Sequence, residues 1–149
     1  MAPSADRIRV RLNWIQILDK LEPAFEEHGE FRFTVRLSDA SSGKVLQETK
    51  LPREAEYYAI SDRPGWNRLP LDEVVFEGET PDSLKIELTG EELDFLSPNE
   101  QLDPYQRVFT GPPASWVGWY GPGDEGGQAT ADDPENLRNW RVCYSIERV

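Results

Sequence analysis

The chain holds one cysteine, one histidine and one methionine in 149 residues. A single thiol, Cys143, cannot close an internal disulfide, so any fold must rest on its own core. It reads as an inert, semi-buried strand thiol. With His28 as the sole imidazole, a histidine-rich metal site is excluded. In "EEHGE" that residue reads as a surface group rather than the base of a catalytic triad. No run of about 18 apolar residues is present to form a membrane-spanning helix. No cationic start leads into an apolar stretch, so no signal peptide is expected. A soluble, cytoplasmic protein is the resulting expectation. Phosphate-binding loops and dinucleotide fingerprints are missing as well.

Basic charge is also scarce. Sixteen Lys and Arg face 28 Asp and Glu, a net charge of −12. Such a surface repels nucleic-acid phosphates and anionic lipid heads. Nucleic acid is therefore excluded as a partner, and a membrane is admitted only with a bridging cation such as calcium. Residues 1–60 are nearly balanced at −1, while residues 61–149 carry −11.

What is present is a period of two. In "EFRFTVRLS", Phe31, Phe33, Val35 and Leu37 alternate with Arg32, Thr34 and Arg36. "SLKIELT" and "NWRVCYSIE" alternate in the same way, through Leu84, Ile86 and Leu88 and through Trp140, Val142, Tyr144 and Ile146. This is the pattern of half-buried strands in antiparallel sheets. In "RIRVRLNWIQIL", Ile8, Val10, Leu12 and Trp14 share one phase and Ile15 and Ile17 the other, which predicts a bulge. "SDASSG" reads as a turn into the strand "KVLQETKL", and "DEVVFE" and "YQRVFT" as two further short strands. "KLEPAFEEHG" has room for one helical turn between Pro23 and Gly29. Strands at this spacing predict an all-β fold, an antiparallel eight-stranded β-sandwich in a single domain over residues 1–149. Residues 1–6 read as a flexible N-terminus and 121–136 as a mobile, acidic, Gly-rich loop.

Three features are candidates for binding. "GEELDFLSPNEQLD", residues 90–103, carries five carboxylates. Calcium takes 6–8 oxygen ligands, and Glu92, Asp94 and Glu100 around a turn with Pro98 and Asn99 could converge on one ion. Acidic turns are more often simply solvated. Next, "SWVGWYG" sets Trp116, Trp119 and Tyr120 close together. Exposed, these rings could stack on sugars; otherwise they close an edge of the sandwich. Finally, Arg7, Arg9 and Arg11 alternate on one strand and Arg32 and Arg36 on the next. If those strands pair they make a basic stripe, unless Glu48, Glu54 or Glu56 neutralises it. Carboxylate pairs could serve glycoside hydrolysis, but the acidic clusters lie in turns with no evident cleft, and an enzyme is not expected.

The acid-x-acid spacing of Glu92 and Asp94, with Glu100 beyond, resembles the third calcium loop of C2 domains, where aspartates usually stand. "PGWN" at 64–67 followed by "LPLDEVVFE", and "GEFRFTV" at 29–35, resemble the family's Pro-x-aromatic-Asn segment and the start of its second strand. The resemblance covers residues 7 to about 110. It implies a C2-like β-sandwich, and it places Asp19 and Glu30 near the two aspartates of the first calcium loop. The implied calcium set is Asp19, Glu30, Glu92, Asp94 and Glu100. Glutamate in place of aspartate implies weak binding, on the order of 10⁻⁴–10⁻³ M. Many domains of this family bind no calcium and dock proteins. The expectation is thus a non-catalytic C2-like interaction module whose acidic loops take calcium weakly or meet a protein partner. The alternatives are a carbohydrate-binding module using Trp116, Trp119 and Tyr120, and a structural subunit of a larger assembly.

Overall fold

The structure, a computed structural model, describes residues 6–17, 29–60, 68–93, 100–102, 104–120 and 140–149. Alternating apolar side chains give each strand one face to bury, and two antiparallel sheets bury those faces against each other. In the first sheet the order is β5 (Arg68–Glu79), β1 (Arg7–Ile17), β10 (Trp140–Arg148) and β9 (Gly118–Tyr120). The second runs β3 (Val45–Leu51), β2 (Gly29–Asp39), β6 (Leu84–Glu92) and β7 (Glu100–Gln101). In addition, β4 (Tyr58–Ile60) pairs with β2 and β8 (Tyr105–Phe109) pairs with β6.

β6 occupies one edge of β2 from Phe31 to Asp39, so β3 and β4 share the other edge. By the same reasoning β7 and β8 share the edge of β6 that faces away from β2. The ten strands among the described residues therefore fill eight lanes, four per sheet. The expected antiparallel sandwich is present, but with more than the expected eight strands, because two of its lanes are each split in two. The loop over 121–136 and the segment 20–28 lie outside the described residues.

The core lies between the sheets. Phe31, Phe33, Val35, Leu37, Leu84, Ile86 and Leu88 from the second sheet meet Ile8, Val10, Leu12, Trp140, Val142 and Tyr144 from the first. Each fully buried aliphatic or aromatic side chain contributes about 1.5–3 kcal/mol. The aromatic rings interlock across the gap. Phe33 stacks on Trp140 at 5.5 Å and Phe109 meets Tyr120 edge-on at 5.0 Å, while within the first sheet Tyr120 stacks on its cross-strand neighbour Tyr144 at 5.3 Å. The Tyr105 and Tyr144 hydroxyls bond each other at 2.5 Å, which keeps two buried polar groups satisfied.

Two sequence expectations change here. The bulge in β1 is present, between Leu12 and Trp14 in the pairings with both neighbours. The phase switch comes one residue earlier than the hydrophobic pattern suggested. Ile15 and Ile17 join the core with Ile8, Val10 and Leu12, whereas Trp14 does not. Trp14 is buried on the other face instead, with the Arg68 guanidinium 4.1 Å above its ring.

The basic stripe does not form either, because β1 and β2 belong to different sheets. Arg9, Arg11 and Arg32 meet acids from strands far away in sequence, and Arg36 meets one on the adjoining β3. Arg9 pairs with Glu77 at 2.6 Å and Glu147 at 3.6 Å, and Arg11 pairs with Asp72 at 2.8 Å and Glu147 at 3.5 Å. Arg36 pairs with Glu48 at 2.8 Å, and Arg32 with Glu91. Hydrogen bonding to Asp72 and to Glu48 holds the Arg11 and Arg36 guanidinium groups further toward the charged form than usual. Of the three acids expected to neutralise this face, Glu48 does so.

Candidate functional site: the acidic end of the second sheet

β2 starts where the antiparallel β6 ends. Phe31 pairs with Glu92, and the Leu93 N–H donates to the Glu30 carbonyl at 2.8 Å. β7 then lies beside β6, with Glu92 opposite Glu100 and Glu91 opposite Gln101. The backbones of Glu30, Glu92 and Glu100 are thereby brought to one end of one sheet. Asp19 and Asp94 lie outside the described residues.

Gly90 makes this arrangement possible. A Cβ there would sit 2.6 Å from Phe33 Cδ1 and 2.7 Å from Leu102 Cδ1. Without one, Phe33 and Leu102 close over the strand. The Leu102 N–H then donates to the Gly90 carbonyl at 2.8 Å, which fixes the return of the acidic segment beside β6.

Strand phase separates the acids that register brings together. Glu30 shares the outward phase of Arg32, Thr34 and Arg36, while Glu92 shares the inward phase of Leu88 and Gly90 and is 3% exposed. Glu30 Oε2 is shielded from solvent and has no hydrogen-bond partner among the described residues. A buried acceptor left unsatisfied costs about 1–3 kcal/mol, more when charged, so an oxygen of this kind suits a cation or a donor from a ligand. Glu91, which the sequence did not single out, is spoken for within the protein. It takes Arg32 Nε on one side and Gln101 Nε2, at 3.0 Å, on the other. Its opposition to Arg32 across the β2–β6 ladder becomes visible only with the register known.

Calcium can be tested against these residues. Among the described residues, no three acidic, histidine or cysteine side chains group closely enough to hold a metal ion. The described acids alone therefore do not fit a calcium cage. Glu30 Oε2 supplies one free ligand oxygen, and a cage needs Asp19 and Asp94 to complete it.

The aromatic cluster is corrected. Trp116 ends a single 3-10 turn, Pro113–Trp116, and is 1% exposed, with Phe109 beside it and its Nε1–H donating to the Thr110 carbonyl at 3.0 Å. Tyr120 is also buried and donates its hydroxyl to the Trp116 carbonyl. Alternation along β9 turns Trp119 the other way, leaving it 42% exposed. Two of the three rings thus belong to the core, and a three-ring stacking platform is not formed. The aromatic surface open to a ligand at this cluster comes down to Trp119.

No protein-family model matches the sequence, and no curated protein matches it. Among solved structures, the C2A domain of plant Extended Synaptotagmin 1 is similar, with a TM-score of 0.54 and 8% sequence identity. The match covers 99% of this chain and 96% of that one. At so low an identity the likeness is one of architecture, and the fold of this chain is a C2-like β-sandwich.

Proposed function

We propose that the chain is a non-catalytic interaction module of the C2-like kind, acting in the cytoplasm through the acidic end of its second sheet. The observation that carries this reading is Glu30 Oε2, a solvent-shielded carboxylate oxygen without a hydrogen-bond partner among the described residues, at the sheet end that also holds Glu92 and Glu100. Its ligand is a cation. In the first reading this is calcium, weakly held, with Asp19 and Asp94 completing the set with Glu30, Glu92 and Glu100. The carboxylates would repel one another in its absence, and the ion would relieve that repulsion.

A second reading is a protein partner that brings basic side chains to the same end. It is favoured by the opposite strand phases of Glu30 and Glu92, which separate the two carboxylates rather than gather them in a cage. A membrane enters only through the calcium reading, because the net charge opposes anionic lipid.

Thermal melting with calcium and with magnesium separates the two. Calcium at ten times its Kd should stabilise the fold by about 1.4 kcal/mol, a shift of a few degrees for a domain of this size. Asp94→Asn and Glu30→Gln should each remove that shift. If millimolar calcium moves the melt no more than magnesium does, the calcium reading fails and the acids form a partner-facing rim. If, in addition, Glu30→Gln strengthens the fold and no basic peptide binds, the acidic end is not the site.

A further inference from the structure

The outer face of the second sheet carries a second candidate site, which adjoins the acidic end through Glu91 and Leu93. A cavity of about 540 Å³ opens there between β2, β3 and the chain that follows β3. Register places its polar groups. Lys50 lies opposite Thr34, and Arg32 follows two residues along on the same face. Pro52, Ala55 and Glu56 line it on the side of the chain that follows β3, and Phe33, Leu51, Glu91 and Leu93 contribute the rest of the wall.

The charges in this cavity are unequally committed. Arg32 is bound through Nε to Glu91, and Glu91 is held from its other side by Gln101. That pair is locked and close to neutral. Lys50 and Glu56 remain, one cation and one anion, both exposed and neither in any of the ion pairs formed among the described residues. Among its described residues the cavity thus offers one unpaired ammonium, one unpaired carboxylate and an apolar wall, and it complements a small molecule that carries both charges.

We propose that this cavity binds a zwitterionic ammonium–carboxylate ligand, a free amino acid or the backbone of a very short peptide. The ligand carboxylate meets Lys50 and the Thr34 hydroxyl, the ligand ammonium meets Glu56, and a small side chain lies against Pro52 and Ala55. Charge decides against a phosphate. A dianion would meet Glu56 in the lining and the −12 field of the whole chain. A zwitterion has no net charge and approaches without that penalty. Its two ends then find opposite charges at short range, where screening by salt is weakest.

The test is an amide-resolved NMR titration of the full chain, without calcium, using diglycine as the probe. Saturable shifts are expected at Thr34, Lys50, Ala55 and Glu56. N-acetylglycine, which lacks the ammonium, and glycinamide, which lacks the carboxylate, should each bind more weakly. Lys50→Gln and Glu56→Gln should each weaken diglycine by about 1.4-fold to fivefold, the range for an exposed charge pair. Both side chains are exposed, so both variants should melt as the parent does, and a weaker response then reports binding rather than folding. The proposal is overturned if diglycine gives no saturable shifts at these residues, or if both variants bind it as the parent does. It is equally overturned if inorganic phosphate or anionic vesicles bind this face more tightly than diglycine, which would make it a plain anion site.

Discussion

Replacing Gly90 by alanine should destabilise the fold, although alanine is ordinarily the better strand residue. The added methyl would lie 2.6 and 2.8 Å from Phe33 Cδ1 and Cε1 and 2.7 Å from Leu102 Cδ1. Phe33 cannot yield easily. It is buried, stacks on Trp140 at 5.5 Å and lies beside Phe31 at 6.5 Å. Overpacking of this kind costs about 1–3 kcal/mol. Removing glycine restricts the unfolded chain and returns about 0.4–1 kcal/mol. The net loss is about 1–2 kcal/mol, a fall in Tm of roughly 2–8 °C for a domain of this length. Thermal melts followed by circular dichroism would read it. A double-mutant cycle locates the cause. Phe33→Leu should cost less in the Gly90→Ala background than alone, because the smaller side chain makes room for the methyl. If Gly90→Ala is as stable as the parent, or if the two changes are strictly additive, then Phe33 does not close over Gly90 and the account of how β7 is positioned falls with it.

The aromatic cluster separates by burial: Trp116→Ala should cost about 3–5 kcal/mol in chemical denaturation, and Trp119→Ala close to nothing. Equal effects would contradict the opposite placement of the two rings. Burial also holds the Tyr144 hydroxyl well above its ordinary value, so it stays neutral in the fold while unfolded chains ionise near pH 10. Stability should therefore be unaffected by this group below about pH 10 and fall by up to about 1.4 kcal/mol per pH unit above it. Tyr144→Phe should flatten that alkaline limb, and an unchanged limb would refute the assignment. Asp72 holds a left-handed backbone, φ 51°, while its carboxylate pairs with Arg11. Both Asp72→Gly and Asp72→Ala lose the pair but only alanine keeps the strain, so the glycine variant should be the more stable by about 1 kcal/mol. Equal stabilities would remove the strain argument.

The amino-acid sequence determined the strands and the faces they bury. Side chains on a strand point alternately up and down, so Phe31, Phe33, Val35 and Leu37 declared a buried face before any partner was known, and Leu84, Ile86 and Leu88 declared another. It also determined the bulge in β1, because an apolar pattern can change phase within one strand only by adding a residue. The short segments β4, β7 and β9 were too brief to leave a period. Pairing was decided by the tertiary structure alone. Nothing local in Arg9 or Arg11 points to Glu77, Asp72 or Glu147, each more than 60 positions away, so the two arginine rows read as one stripe until β1 and β2 were seen in different sheets. Trp116 and Trp119 look alike in sequence, and only the 3-10 turn and the pairing of β9 with β10 send one ring into the core and leave the other outside. The acidic end divides in the same way. Spacing chose Glu92 and Glu100, register set them side by side, and strand phase, which has meaning only once the two sheets enclose an interior, turned Glu92 inward and Glu30 outward.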